Sequence, residues 1–205
     1  MKENTAKSKK SQERSKETKS RILGAAVLLF SQKGYDTTSV SEICTFAGVS
    51  KGAFFYHFST KRALFLELLD NWLLDLEKSM EDIVKTSPNV PGALLNMTGI
   101  IKNVTNSSGG KLPLFLQFWS EATRDKEVWK ATVSYYKKYR KYFAKIIERG
   151  IKEGSFKKVD LNVVSNMIVS FAIGLLLQEL ISSDEEDWEK LSREGLDMIL
   201  QMLRG

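Results

Sequence analysis

The chain is sparing with side chains that do covalent or acid–base chemistry. It holds one histidine, His57, and one cysteine, Cys44. A single cysteine excludes an internal disulfide, and the two residues together leave too small a ligand set for a metal centre. A nucleophile–base pair would have only His57 to draw on, which argues against a hydrolase of that kind. His57 is therefore read as a side chain bonding phosphate or backbone beside Phe58, and Cys44 as a small buried hydrophobe. What remains is charge. Residues 1–62 carry 12 lysines and arginines against 5 acidic residues, a net of +7. Residues 63–205 carry 19 against 20, a net of −1, so the whole formal charge of +6 resides in the first third. That concentration points to a polyanion, and double-stranded DNA is the leading candidate.

These residues need a scaffold, and the pattern that supplies it is helical throughout. Ile22, Ala25, Ala26, Leu29 and Phe30 recur at spacings of three and four, and Gly34 stops that helix. Ser39 and Glu42 have the spacing of a capping box, which opens a second helix with Val40, Ile43, Cys44 and Ala47 on its inner face. Gly48 ends it, and Ser50 is placed to cap a third helix only two residues later. So short a turn forces the two helices to cross steeply, which is the helix-turn-helix geometry. The third helix, Ser50 to His57, begins with small residues (Ser50, Gly52, Ala53) that let it approach base edges closely, and Lys51, Lys61 and Arg62 stand around it for phosphates.

At these residues the chain resembles the TetR family of bacterial and archaeal transcriptional regulators. The match runs through Arg21-Ile22-Leu23, Ala25-Ala26, Leu29-Phe30, Gly34-Tyr35, Thr38-Ser39-Val40, Ile43, Ala47-Gly48-Val49-Ser50-Lys51-Gly52, Tyr56-His57-Phe58, Lys61 and Leu64. The resemblance implies an all-α homodimer with an N-terminal DNA-binding domain and a C-terminal ligand-binding and dimerisation domain. It further implies that Thr38 and Ser39 touch phosphate, that Ser50, Lys51, Gly52 and Ala53 face the groove, that Tyr56 and His57 meet backbone or bases, and that Lys61 meets a phosphate. Phe55 stands where many members have a phosphate-bonding tyrosine, so that contact is either lost or moved to Tyr56. Phe46 occupies a position often polar or small, and is either a contact to a base methyl or an exposed packing residue.

The expected organisation is a mobile basic tail over 1–14, a helix-turn-helix domain over 15–62, and a helical body over 63–205, with about nine helices in all. The tail is either a solvated extension or an arm following the DNA. A fourth helix from Thr60 to about Lys85 carries an apolar stripe wide enough to pack on two sides (Leu64, Leu68, Trp72, Leu76, Met80, Ile83, with Phe65, Leu69 and Leu73 beside it). Pro88 and Pro91 are expected to break the chain before a helix over 92–105 and a loop at Asn106–Gly110. Helices over 112–123, 126–153, 161–182 and 185–203 follow, the last two parted by the acidic Ser183–Asp187.

In the body, an effector pocket is expected among Trp72, Leu76, Phe115, Phe118, Trp119, Tyr136, Tyr139, Asn166 and Phe171, with Gln117, Asn166 and the tyrosine hydroxyls as its polar groups. The last two helices are expected to pair with those of a second copy through Val164, Met167, Phe171, Gly174, Leu175, Leu196, Ile199 and Leu200, with Gly174 allowing a close approach. A two-fold reader needs two recognition helices about 34 Å apart, which calls for a roughly palindromic operator. The apolar run Met167–Leu177 is too short for a membrane span, and no secretory leader is apparent, so a soluble cytoplasmic protein is expected. No cofactor is expected. The reading is a repressor released by a small apolar or amphipathic effector. Its rivals are a non-specific DNA-coating protein and an enzyme using the aromatic pocket.

Overall fold

The computed structural model describes residues 2–100, 111–181 and 186–204, with the side chains of 2–8, 111–113, 115 and 180–181 outside that description. Among the described residues there are nine α-helices and no strand. They are α1 (Lys2–Lys33), α2 (Val40–Ala47), α3 (Lys51–His57), α4 (Lys61–Thr86), α5 (Val90–Asn96), α6 (Lys111–Ala122), α7 (Lys126–Lys152), α8 (Leu161–Ile181) and α9 (Trp188–Gln201). The chain forms two compact units, one of residues 1–71 with 109–120, the other of residues 72–108 with 121–205.

The first unit closes on Ile22, Ala26, Phe30, Ile43, Phe54, Leu64, Phe65 and Phe118, all under 2% exposed. Its centre is aromatic: Phe65 meets Phe30 edge-on at 5.6 Å and lies 4.3 Å from Phe118. The expected boundary at residue 62 lies nine residues further on, at Asn71, because the first turns of α4 bury Leu64, Phe65, Leu68 and Leu69 in this unit. The second unit gathers Met80, Val90, Leu94, Ile146, Ile147, Phe156, Val164, Ile168, Leu196 and Leu200, with Leu76 and Ile83 packed against them. The stripe on α4 thus serves two cores, as its width suggested.

Two expectations change. Residues 2–14, expected to be a mobile tail, continue α1 without a break. No glycine or proline precedes Gly24, and lysine, glutamate, glutamine and alanine are good helix formers, so nothing local stops the helix. Pro91 does not break the chain but lies in the first turn of α5, capped by Asn89, where a proline's missing amide would have had no partner. The helix expected over 92–105 therefore begins earlier; its residues past 100, the Asn106–Gly110 loop and most of the Ser183–Asp187 segment lie outside the described residues.

Candidate nucleic-acid interface

The turn between α2 and α3 is built from its caps upward. The Ser39 hydroxyl accepts from the Glu42 amide while the Glu42 carboxylate accepts from the Ser39 amide at 2.9 Å, the reciprocal pair of a capping box. Hydrogen bonds from the Ser39 amide, the Lys33 ammonium and the Ser39 hydroxyl, in that order, hold the Glu42 carboxyl down to about 2. Gly48 takes the left-handed conformation at φ 63° and ψ 41°, and the Val49 amide closes onto Cys44 O at 3.0 Å. Ser50 then caps α3 by accepting from the Ala53 amide. Cys44 is buried, and burial pushes its thiol up, which makes it unreactive.

One clamp was not legible in the sequence. The Arg21 guanidinium, from α1, donates to Ala47 O at 2.5 Å and Gly48 O at 2.9 Å. A Cβ on residue 48 would lie 2.6 Å from that same guanidinium. Gly48 is therefore required by its backbone conformation, and any side chain there would push aside the end of the arginine that grips the turn.

The expected contact residues divide into those that face outward and those that do not. Ser39, Ser50, Lys51, Gly52, Phe55 and Tyr56 are exposed, and Ala53 and His57 are partly so. Tyr56 is 79% exposed and Phe55 53%, with Phe55 held edge-on against the buried Phe54 at 5.3 Å. Phe46, at the end of α2, is 59% exposed. On α3 the buried Phe54 defines the inner side, and Gly52 and Tyr56, four residues apart, lie nearly opposite it. Nothing internal calls for glycine at 52: a Cβ there would meet only Ser50 Oγ, at 3.8 Å.

Thr38 and Lys61 are turned inward instead. Thr38 is 1% exposed and its hydroxyl donates to Gly34 O at 2.7 Å, because it sits where α1 and α2 close on each other. The Lys61 ammonium donates to Tyr35 O at 2.7 Å and Thr38 O at 2.9 Å and lies 4.2 Å from the Tyr35 ring centroid. It ties α4 to the loop before α2.

The expected effector residues are distributed over both units. Phe118 is a core residue of the first unit, and Gln117 there accepts from the Tyr35 amide at 2.7 Å. Trp119, in the same unit, is 39% exposed. The side chain of Phe115 lies outside the described residues. In the second unit Tyr136 donates to Asn166 Oδ1 at 3.1 Å, and Tyr139 donates to Leu73 O at 3.1 Å. Burial, then the charge of Glu77, raises the Tyr139 hydroxyl well above the usual tyrosine range. Trp72 and Leu76 are half-buried, and Phe171 lies against Gly195.

The expected pairing face also changes. Val164, Leu175, Leu196 and Leu200 are at most 6% exposed, within the core of their own unit. The outward apolar residues are Val163, Met167 and Leu177 on α8, around the half-buried Gly174, and Leu191 and Met198 on α9 with Met202 at its C-cap, Ile199 lying between the two sides. Gly174 would admit a Cβ with nothing within 4 Å, whereas at Gly195 a Cβ would come within 2.6 Å of the Phe171 ring. Between α8 and α9 the close approach is made at Gly195. Leu161–Glu179 is long and apolar enough to cross a membrane by composition, a property the shorter run Met167–Leu177 concealed. It also carries Asn162, Ser165, Asn166 and Glu179 and packs Val164 and Ile168 into the core.

A capped two-helix turn, presenting a short second helix whose outer side is free of internal duties, defines a helix-turn-helix protein of the all-helical kind. Residues 22–68 match the model of the bacterial regulatory proteins of the tetR family, and residues 105–201 match that of the BetI-type transcriptional repressor C-terminal region. The chain belongs to the tetR family of transcriptional regulators. It is 43% identical over 60 residues to the HTH-type transcriptional regulator AcrR of Shigella flexneri, which is 29% of this chain and 28% of that protein. It is 24% identical over 170 residues to the uncharacterized HTH-type transcriptional regulator YfiR of Bacillus subtilis, 80% of each. Its fold matches that of the regulator FadR from Bacillus subtilis in complex with stearoyl-CoA, with a TM-score of 0.78 at 20% identity, over 90% of this chain and 98% of that one.

Proposed function

We propose that the chain is a repressor that binds a roughly palindromic operator as a homodimer and leaves it when a small apolar or amphipathic effector binds. The observation that carries this reading is α3: its outer side presents Gly52 and the 79% exposed Tyr56, with Phe55 half exposed beside them, and it stands in the segment that holds all the net positive charge. Lys51, Ser39 and Ser50 are accessible for phosphate or base edges, with Tyr56 and His57 beside them. The second unit is the effector and pairing domain. Val163, Met167 and Leu177 of α8, with Leu191 and Met198 of α9 and Met202 at its C-cap, form an outward apolar face that a second copy would cover. The small Gly174 within that face would let the two copies come close. Effector binding acts by its different affinity for the DNA-fitting and non-fitting states of the dimer. That a relative of this fold was crystallised with stearoyl-CoA supports an amphipathic effector. The chain works in the cytoplasm, by binding and not by turnover.

The test is anisotropy of the full chain on a labelled duplex from its own promoter, against unrelated competitor DNA. A regulator prefers its operator by about 10³-fold or more, and an equal affinity for both would make it a DNA-coating protein. Sedimentation of the free protein should give a dimer, and a monomer at micromolar concentration would remove the pairing face from the reading.

A further inference from the structure

Helix α1 runs well past the core that it serves. Its first buried residue is Ile22, and Lys9, Lys10, Arg14 and Lys16 before it are all exposed. The helix is unbroken from Lys2 to Lys33, so the direction in which each of these side chains leaves the axis is set relative to the rest of the unit. Arg21 marks one side of that axis, because its guanidinium donates to Ala47 O and Gly48 O at the turn into α3. Arg14 stands two helical turns before Arg21, about 20° round the axis and about 10 Å along it. Lys10 stands one turn further, again about 20° round and about 16 Å along. Lys9 and Lys16 leave the axis about 120–140° away from Arg21, on another side.

The acidic residues of this stretch do not fill the row. Glu17 flanks it about 40° from Arg21, and Glu13 lies about 80° away. Lys19, by contrast, turns inward and pairs with Glu67 of α4 at 2.6 Å. Neither Lys10 nor Arg14 meets a carboxylate among the described residues. Two cations are thus carried clear of the core, on the side of α1 that faces the turn opening α3, with no internal partner. We propose that Lys10 and Arg14 form a rigid phosphate-binding arm, held in register with Arg21, that meets the DNA backbone flanking the site entered by α3. The inference rests on the operator-binding reading above and extends the DNA-binding surface beyond the helix-turn-helix. The arginine can take a phosphate with two parallel hydrogen bonds and the lysine acts as a point charge. Because the arm is a helix, its contacts depend on rotation about the axis as well as on charge.

The experiment measures operator binding of the full chain by anisotropy over about 50–200 mM salt. Each phosphate contact contributes about 0.9 to the slope of log affinity against log salt. The double variant Lys10→Ala/Arg14→Ala should therefore lower the slope by about 1.8 per protomer, or about 3.6 for a dimer. Lys9→Ala/Lys16→Ala removes the same charge from the other side and should change the slope by less than about 0.9 per protomer. Alanine favours the helix at all four positions, so α1 persists in both. One alanine inserted between Arg14 and Ser15 keeps every charge but turns the arm by about 100°, and it should lower the slope as the first pair does. Equal losses from the two pairs, or a harmless insertion, would describe a tail without register and overturn the proposal, as would an unchanged slope in the first pair. In each of these cases the regulator reading stands. A native chain with no preference for its operator over competitor DNA overturns both.

Discussion

The grip of Arg21 on the turn makes a sharp prediction about two residues 27 positions apart in sequence. Replacing Gly48 by alanine forces an L-residue into φ 63°, which costs roughly 1–2 kcal/mol. The new Cβ would also sit 2.6 Å from the Arg21 guanidinium and displace it from Ala47 O and Gly48 O. Hydrogen bonds to a charged group contribute about 1.5–3 kcal/mol, and we take that range for the pair because the carbonyls can be partly rehydrated. Gly48→Ala should therefore destabilise the first unit by about 2.5–5 kcal/mol and Arg21→Ala by about 1.5–3 kcal/mol. The double variant loses the clamp only once, so it should be no worse than Gly48→Ala alone. The coupling is thus about 1.5–3 kcal/mol, well above the scatter of independent sites. Native-state hydrogen exchange on peptides spanning residues 40–58 reads the free energy of this unit directly. Strict additivity of the two substitutions would refute the clamp.

Lys61→Met should lower the stability of the first unit by about 1.5–3 kcal/mol in the same exchange assay while leaving the salt slope of operator binding unchanged, and a slope lowered by about 0.9 per protomer would return Lys61 to a phosphate. The Glu42 carboxyl, held down to about 2, adds stability that is present above the ordinary carboxylate range and disappears as pH falls through that range toward 2. Acid titration followed by exchange in α2 should show this loss, Glu42→Gln should remove the pH dependence, and an unchanged titration would rule out the capping box as its origin. Gly195→Ala should cost about 1–3 kcal/mol by driving a methyl into Phe171, whereas Gly174→Ala should leave the fold of the second unit intact and weaken self-association, read by thermal melting and sedimentation respectively. An unaltered dimer in Gly174→Ala would move the pairing face elsewhere.

Which features could be read from the sequence follows from how local their causes are. The Ser39–Glu42 box, the Ser50 cap and the Gly48 stop are each settled within four residues, and all three stand as the spacing implied. The roles of Arg21, Lys61 and Gln117 could not be read this way. Each donates to, or accepts from, a backbone group 23 to 82 residues distant, and a carbonyl or amide carries no sequence signature. Thr38 misled because a threonine before a helix suits an outward phosphate contact and an inward hydrogen bond equally well. On α8 the difficulty was different. Apolar residues line both the inner and the outer side, so Val164 and Val163 look alike in a hydropathy pattern and only packing distinguishes them. Phe46 and Phe55, where the family pattern fails, are the large hydrophobic residues that the structure leaves most open to solvent on this surface apart from Tyr56.

The Arg21 clamp reaches the turn through main-chain oxygens alone. No side chain of α3 takes part in it, and the hold on that helix from within is largely the single buried ring of Phe54. Residues 51, 52 and 56 can thus be exchanged together as a cassette while the mounting stays fixed. A chain so organised can acquire new target sequences by drift in three positions without renegotiating its fold, and an engineer can redirect it the same way.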